Sequence, residues 1–130
     1  MAQADTMRFL IVDDSSTMRR IIINTLNKLG FADFTEAANG REGIDRLATD
    51  AIDMIITDWN MPEMSGIEFL RRIRADDKTR DLPVLMVTTN AAKTDIVEAL
   101  RAGVSNYVVK PFTPDTFKEK IDAVLAKQAM

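Results

Sequence analysis

Side chains that can bind a cation or a phosphate follow several short apolar runs, each at the point where the run ends. A carboxylate pair, a single carboxylate, a hydroxyl pair and a lysine followed by proline occur in this way. In chain order these residues are Asp13, Asp14, Asp58, Thr88, Thr89, Lys110 and Pro111. Carboxylate, hydroxyl and ammonium groups at one place describe a site for phosphoryl transfer.

Three carboxylates in one site repel one another and need a nearby positive charge to stay ionised. Mg²⁺ fits this need, because it prefers oxygen ligands and leaves coordination positions for water or a phosphate. Calcium would require a denser cage of oxygens, and the sequence has no EF-hand loop. We therefore expect a magnesium site formed by Asp13, Asp14 and Asp58.

A carboxylate can also be the nucleophile and form an aspartyl phosphate. Asp58 is the candidate, because its segment is expected in the middle of a sheet, between the acid pair and the Thr and Lys residues. The Lys110 ammonium can meet one phosphate oxygen as a point charge, and the Thr88 hydroxyl can donate to another.

Five short apolar segments alternate with five longer segments of helical period, and these elements must position the site. The first, third and fourth are almost continuously apolar, as strands covered on both faces must be. This alternation predicts an α/β fold, a doubly wound (βα)5 with a parallel sheet and helices on both faces. All strands of such a sheet end at one edge, where ligands bind. The apolar segments are residues 9–12, 33–37, 53–57, 84–88 and 106–110.

Capping residues predict where the helices begin, and apolar spacing predicts which faces are buried. Ile21 of the first helix and Val97 and Leu100 of the fourth are predicted to face the core. The predicted N-caps are Ser15 or Ser16, Asn39, Ser65 and Thr113.

The composition excludes several classes of function. The 130 residues suit one domain, which we place at residues 8–127 after a flexible tail at residues 1–7, with no output domain. The absence of cysteine and histidine removes disulfides, thiolate and imidazole metal sites and His or Cys catalysis. A net charge of −3 without a basic run argues against a nucleic-acid partner. Without a membrane-length apolar run or a signal peptide, the protein is expected to be cytoplasmic.

With these residues in place, the sequence resembles the receiver domain of two-component response regulators, most closely the single-domain regulators of chemotaxis. The resemblance extends from residue 8 to about residue 127. It implies a flavodoxin-like, five-stranded parallel sheet of order 2-1-3-4-5. It rests on the motifs FLIVDDSSTMRR, IITDWNMPEMSGIEFL, VLMVTT and YVVKPF.

The resemblance implies a role for each acid of the site. Asp58 is implied as the phosphoacceptor. Asp14 and Asp58 would bind Mg²⁺ through their side chains, Asp13 mainly through water, and Asn60 through its backbone carbonyl.

The resemblance also implies how phosphate is held and sensed. Thr88 and Lys110 would bind the phosphoryl group, and the Lys110–Pro111 bond would be a cis peptide. Tyr107 matches an aromatic residue that turns inward when the Thr88 hydroxyl moves toward phosphate. Thr89 stands where a small residue is common in the family, and its β-branch is expected to crowd the inward position of Tyr107.

The implied activity is that of a phosphoacceptor signalling protein, and not of an enzyme. A CheA-like histidine kinase would donate the phosphoryl group, and the protein would slowly dephosphorylate itself. The output surface would be the fourth helix, fifth strand and fifth helix, and its expected partner a flagellar motor switch protein, with a phosphatase as a further candidate partner. We expect a monomer without a membrane partner. The residues of the output surface are Lys93, Ile96, Tyr107, Lys120 and, beside them, Thr89.

Other functions remain open alternatives at this point. The same receiver could be a phosphorelay intermediate or a regulator of a kinase. A flavin carrier of the same topology would use SSTMRR as its phosphate loop, although two acids directly before that loop would repel the flavin phosphate. A hydrolytic phosphatase would be expected to carry a second acid where the sequence has Asn60. Asp13 and Asp14 could instead only cap the first helix, and Lys110 could be a surface lysine.

Overall fold

The computed structural model describes residues 7–89 and 92–128, and strands alternate with helices along this part of the chain. Each of the five apolar segments forms a strand, as predicted. The strands are β1 (Arg8–Val12), β2 (Asp33–Ala37), β3 (Met54–Thr57), β4 (Val84–Thr88) and β5 (Asn106–Val109). The helices are α1 (Ser16–Lys28), α2 (Gly40–Thr49), α3 (Gly66–Ala75), α4 (Lys93–Arg101) and α5 (Pro114–Gln128).

The strands form one parallel sheet in the order β2-β1-β3-β4-β5. This order and the doubly wound α/β fold are therefore confirmed. Apart from Arg8, every residue of the three central strands is buried, because helices cover both faces of the sheet. The edge strands β2 and β5 contain more exposed residues.

The core has two layers, one on each face of the sheet. On one face, α1 and α5 pack against the strands, and on the other face α2, α3 and α4 do so. Phe69 of α3 and Phe117 of α5 are fully buried, and each such side chain contributes roughly 1.5–3 kcal/mol to stability. The two layers hold the strand ends in fixed positions at one edge of the sheet.

Side-chain caps begin four of the helices. Ser15, Asn39, Ser65 and Thr113 each accept a hydrogen bond from the backbone N–H three residues ahead. Of the two serines predicted for α1, Ser15 is the cap. Helix α4 has Ala92 at its N-cap and no side-chain cap.

Three apolar side chains that were predicted to be buried are exposed. Ile21 of α1 is 43% exposed, and Val97 and Leu100 of α4 are 39% and 59% exposed. Helix α4 is buried through Ala99, its fully buried residue. For α4 the prediction was wrong because it followed the size of the apolar side chains, whereas this helix packs through the small Ala99 and exposes the larger Val97 and Leu100.

Within the described residues, no helix is both long and apolar enough to cross a membrane. The longest of them, α5, has 15 residues, against the roughly 20 apolar residues that a span requires. The predicted tail at residues 1–7 lies outside the described part of the chain except for Met7.

Candidate functional site

Three carboxylates meet where β1 and β3 end. Asp13 and Asp14 follow β1, Asp58 follows the neighbouring strand β3, and one carboxylate oxygen of each lies within 4.8 Å of the others. Asp13 and Asp58 are buried, with 1% and 8% of their surface exposed, whereas Asp14 is exposed. The cluster therefore has a dry inner side and a side that is open to solvent.

Backbone hydrogen bonds hold the two buried acids in place. The Asp58 N–H donates to the Val12 carbonyl at 2.9 Å, and the Asp13 N–H donates to the last carbonyl of β2 at 3.1 Å. The carboxylates are oriented as well: Asp13 Oδ1 accepts from the Ser15 N–H at 2.9 Å, and Asp58 Oδ1 accepts from the Trp59 N–H at 2.7 Å. Each carboxylate keeps a second oxygen for other partners.

Lys110, which follows β5, brings a positive charge to the cluster. Its Nζ lies 3.3 Å from Asp13 Oδ2 and 3.4 Å from Asp58 Oδ1, and the lysine side chain is only 14% exposed. The Lys110 N–H donates to the Thr88 carbonyl at 2.8 Å, which joins the ends of β4 and β5. The Lys110–Pro111 peptide bond is cis. The ammonium thus bridges two carboxylates and lies close to any group attached to Asp58.

The surroundings of Asp58 disfavour its ionised form. Burial raises the pKa of Asp58, and the Asp13 carboxylate raises it further. The Lys110 ammonium and the Trp59 N–H lower this pKa without cancelling the rise. One ammonium therefore does not balance the acids, and a further cation would favour the fully ionised cluster.

The donor set fits Mg²⁺. It consists of carboxylate oxygens, which are hard ligands, and its open side at Asp14 leaves room for the waters that Mg²⁺ keeps. The chain contains neither cysteine nor histidine, so it lacks the thiolate and imidazole ligands that zinc and copper sites use. A divalent cation beside Asp58 would also counter the raised pKa of that carboxyl.

The remaining predicted residues lie on adjoining segments. Thr88 is the fully buried last residue of β4, the strand between those that lead to Asp58 and Lys110. Thr89 and Asn60 are exposed, Asn60 in the loop between β3 and α3. The structure therefore brings the acids and Lys110 within a few ångströms and places Thr88 and Asn60 on the segments beside them.

The loop between β3 and α3 folds back on Asp58 at Gly66. A Cβ at position 66 would lie 2.1 Å from the Asp58 carbonyl oxygen and 2.8 Å from the Trp59 Cα, so only glycine fits. The Gly66 N–H donates to the Trp59 carbonyl at 2.7 Å, and a capping box of Ser65 and Glu68 begins α3 at the same place. This contact fixes the position of Asp58, and no motif in the sequence pointed to it.

Arg19 also contacts the site and was missed as a site residue. Its Nη1 donates to the Asp13 carbonyl at 2.6 Å, and its Nε donates to Glu36 Oε1 of β2 at 2.9 Å. Arg19 thereby ties the start of α1 to the ends of β1 and β2. No pattern in the sequence signals this contact, because it depends on how α1 lies against the ends of two strands.

The predicted output surface is partly buried. Tyr107 packs against the core layer that contains α3, and its hydroxyl is buried without a hydrogen-bond partner among the described residues. Burial raises the pKa of Tyr107, so its hydroxyl stays protonated. Lys93 is exposed, and Ile96 and Lys120 are half-buried.

Known proteins are similar to this chain in both sequence and fold. The chain is 51% identical over 120 residues to the chemotaxis protein CheY1 of Helicobacter pylori strain J99, covering 92% of this chain and 97% of that one. It is 53% identical over 120 residues to the chemotaxis protein CheY homolog of Campylobacter jejuni, covering 92% of each. The chemotaxis response regulator CheY4 of Vibrio cholerae has a similar structure, with a TM-score of 0.83 at 35% identity, over 92% of this chain and 99% of that chain.

A family model matches most of the chain as well. Residues 9–122 match the response regulator receiver domain. This segment includes the three clustered acids and Lys110, and it contains the five strands of the sheet apart from Arg8, the first residue of β1. The chain belongs to the family of response regulator receiver domains.

Proposed function

We propose that this protein is a cytoplasmic response regulator of a chemotaxis two-component system, and that Asp58 is its phosphoacceptor. One observation carries the proposal: the Asp58 carboxylate lies within 4.8 Å of those of Asp13 and Asp14 and 3.4 Å from the Lys110 ammonium. The identity of 51% and 53% to chemotaxis proteins supports chemotaxis over a phosphorelay.

In the proposed reaction, an Asp58 carboxylate oxygen attacks the phosphorus of a phosphohistidine on the kinase. The P–N bond breaks as the new P–O bond forms, and the histidine is the leaving group. Lys110 faces the negative charge of the phosphoryl oxygens, because its Nζ is already 3.4 Å from Asp58 Oδ1. Water later attacks the phosphorus of the acyl phosphate, the P–O bond to Asp58 breaks, and inorganic phosphate leaves as the carboxylate is restored. The protein would thus carry a phosphoryl group for a limited time, which its own slow dephosphorylation sets.

Asp13, Asp14 and Asp58 would hold the Mg²⁺ ion, with the Asn60 carbonyl as a further ligand. When bound, Mg²⁺ supplies positive charge to the carboxylates and to the phosphoryl oxygens. The residues of the chain keep the ligands in place, since the Ser15 N–H orients the Asp13 carboxylate at 2.9 Å. The Trp59 N–H does the same for Asp58 at 2.7 Å.

The phosphoryl group would act on the surface formed by α4, β5 and α5. Thr88 ends β4, and the same strand pairs with β5 so that Met86 lies opposite Tyr107. A shift of the Thr88 hydroxyl toward the phosphoryl group would therefore favour one of two arrangements of Tyr107. A flagellar motor switch protein is the proposed binding partner of this surface, and it would contact Lys93, Ile96 and Lys120.

Acetyl phosphate provides a direct test, because it can phosphorylate Asp58 without a kinase. With Mg²⁺, the wild type is expected to gain one phosphoryl group per chain, and a chelator should prevent the reaction. Asp58→Asn should gain none. Asp53→Asn is the matched control, because it removes a carboxylate that pairs with Arg8 at 2.9 Å, away from the site. Labelling of Asp58→Asn, or loss of labelling in Asp53→Asn, would contradict the proposal.

A further inference from the structure

A groove of about 860 Å³ lies between α3 and α4. Residues of these two helices and the adjoining Ala102 line it, and none of the lining residues belongs to β5 or α5. Helix α4 thus borders two surfaces, the groove and the proposed output surface. The groove is separate from the phosphoacceptor site, since no acid of that site lines it.

The floor of the groove is apolar and has room for large side chains. Val97 is 39% exposed there, and Ala75 and Ala102 are small. The two walls are helices of 10 and 9 residues, which are about 13–15 Å long. This length matches two to three turns of a third helix, and a helix pair offers the ridges between which such a helix packs.

The rim of the groove is cationic, although the whole chain has a net charge of −3. Lys93 and Arg101 have no ion-pair partner among residues 7–89 and 92–128. Arg71 pairs with Glu98 at 3.1 Å, but their side chains are 58% and 45% exposed, and such a surface pair is easily exchanged. A carboxylate from another molecule can therefore replace Glu98 and also meet Lys93 or Arg101.

Arg74 gives the groove a fixed cationic wall. Its Nε donates to the Gly103 carbonyl at 3.0 Å, and its Nη1 donates to the Arg80 and Leu82 carbonyls at 2.9 and 2.5 Å. These hydrogen bonds hold the guanidinium without neutralising it, because carbonyls carry no net charge. The Asp81 carboxylate also acts on Arg74, but it forms no ion pair with it among the described residues. The positive potential of the groove is thus built into the fold.

We propose that the groove between α3 and α4 docks an acidic amphipathic helix of a partner protein. The apolar face of that helix would cover Val97, and its carboxylates would meet Arg71, Lys93 and Arg101. Apart from Lys93, which both contacts share, this contact is additional to the proposed motor-switch contact, and it does not depend on phosphorylation of Asp58.

An NMR titration with synthetic peptides tests the proposal. The probe is a three-turn helix with leucines on one face and glutamates beside them, and the comparison peptide has lysines in place of the glutamates. We expect the acidic peptide to shift the amide signals of Arg71, Val97 and Arg101, with an affinity that falls as salt is added. Arg101→Glu and Val97→Asp should each weaken binding about tenfold or more. Lys118→Glu, on α5 in an exposed ion pair, should leave it unchanged.

Three results would overturn the proposal. The first is a lysine peptide that binds as tightly as the acidic peptide. The second is a set of amide shifts confined to β5 and α5. The third is an anionic naphthalene sulfonate dye that binds in the groove while neither peptide binds. The last result would indicate a small-molecule site. The amide spectra show whether each variant is folded. The titration is also run on Asp58→Asn, so failure of the docking proposal leaves the phosphoacceptor proposal untouched.

Discussion

Replacing Gly66 by alanine should both destabilise the protein and move its phosphoacceptor. The new Cβ would have to open its contact with the Asp58 carbonyl oxygen from 2.1 Å to at least the 3.4 Å of ordinary contact. Such overpacking costs about 1–3 kcal/mol, and the strained hydrogen bond from the Gly66 N–H to the Trp59 carbonyl adds about 0.5–1.5 kcal/mol. We therefore expect a loss of about 1.5–4.5 kcal/mol, or roughly 5–18 °C in Tm for a domain of this size.

The second consequence concerns the site. Because the strain acts on the Asp58 and Trp59 backbone, the carboxylate should shift by a sizeable fraction of an ångström. A shift of about 1 Å in a reacting group can cost up to about 100-fold in rate. The assays are urea unfolding for stability and labelling by acetyl phosphate with Mg²⁺ for the site, with the labelling run without urea and below the Tm of each variant.

Gly43→Ala is the matched control for this experiment. Its Cβ would lie 2.7 Å from the Phe69 ring, so it also strains the core, but it does not touch the Asp58 backbone. We expect Gly43→Ala to keep the labelling rate of the folded wild type. An unchanged unfolding midpoint and labelling rate for Gly66→Ala would refute the close-contact argument. An equal loss of labelling in Gly43→Ala would show that the effect is general destabilisation.

Three further predictions concern single side chains. The pKa of Asp58 in the folded protein is higher than its ordinary value. Protonation of Asp58 therefore stabilises the fold fully below the ordinary pKa, and this stabilisation is lost as the pH rises through the pKa of the folded protein. Thermal unfolding with a chelator should thus show Asp58→Asn more stable than wild type at neutral pH, with the difference closing below about pH 4; a constant difference would contradict the shift. Lys110→Met should lower the free energy of unfolding by about 1.5–3 kcal/mol at neutral pH, and no change in urea unfolding would show that the 3.3 and 3.4 Å contacts add nothing. Tyr107→Phe should stabilise by about 1 kcal/mol, because the buried hydroxyl has no partner among the described residues; a lower urea midpoint would disprove this.

Much of the fold could be predicted because its signals are local. The apolar runs of the central strands and the caps at Ser15, Asn39 and Ser65 are read from a few adjacent residues, and the structure contains all of them. The meeting of Asp13 and Asp58 could be predicted too, since parallel strands end at one edge. The strand order itself came from family resemblance.

What could not be predicted depends on packing between distant segments. Gly66 is required by the space beside the Asp58 carbonyl, and Arg19 is placed by the phase of α1 against the ends of two strands. The burial of α4 through Ala99 and not Val97 reflects how that helix lies on the sheet. Spacing along the chain contains none of this information.

A magnesium titration tests directly whether carboxylates from two strand ends share one metal ion. Trp59 is the only tryptophan and follows Asp58 directly, with its backbone N–H donating to Asp58 Oδ1 at 2.7 Å, so its fluorescence can report the titration beside calorimetry. We expect one Mg²⁺ per wild-type chain, binding to Asp14→Asn that is weaker by about tenfold or more, and unchanged binding to the surface control Asp45→Asn. Asp14→Asn that binds as tightly as the wild type, or a wild type that does not bind Mg²⁺, would contradict this expectation.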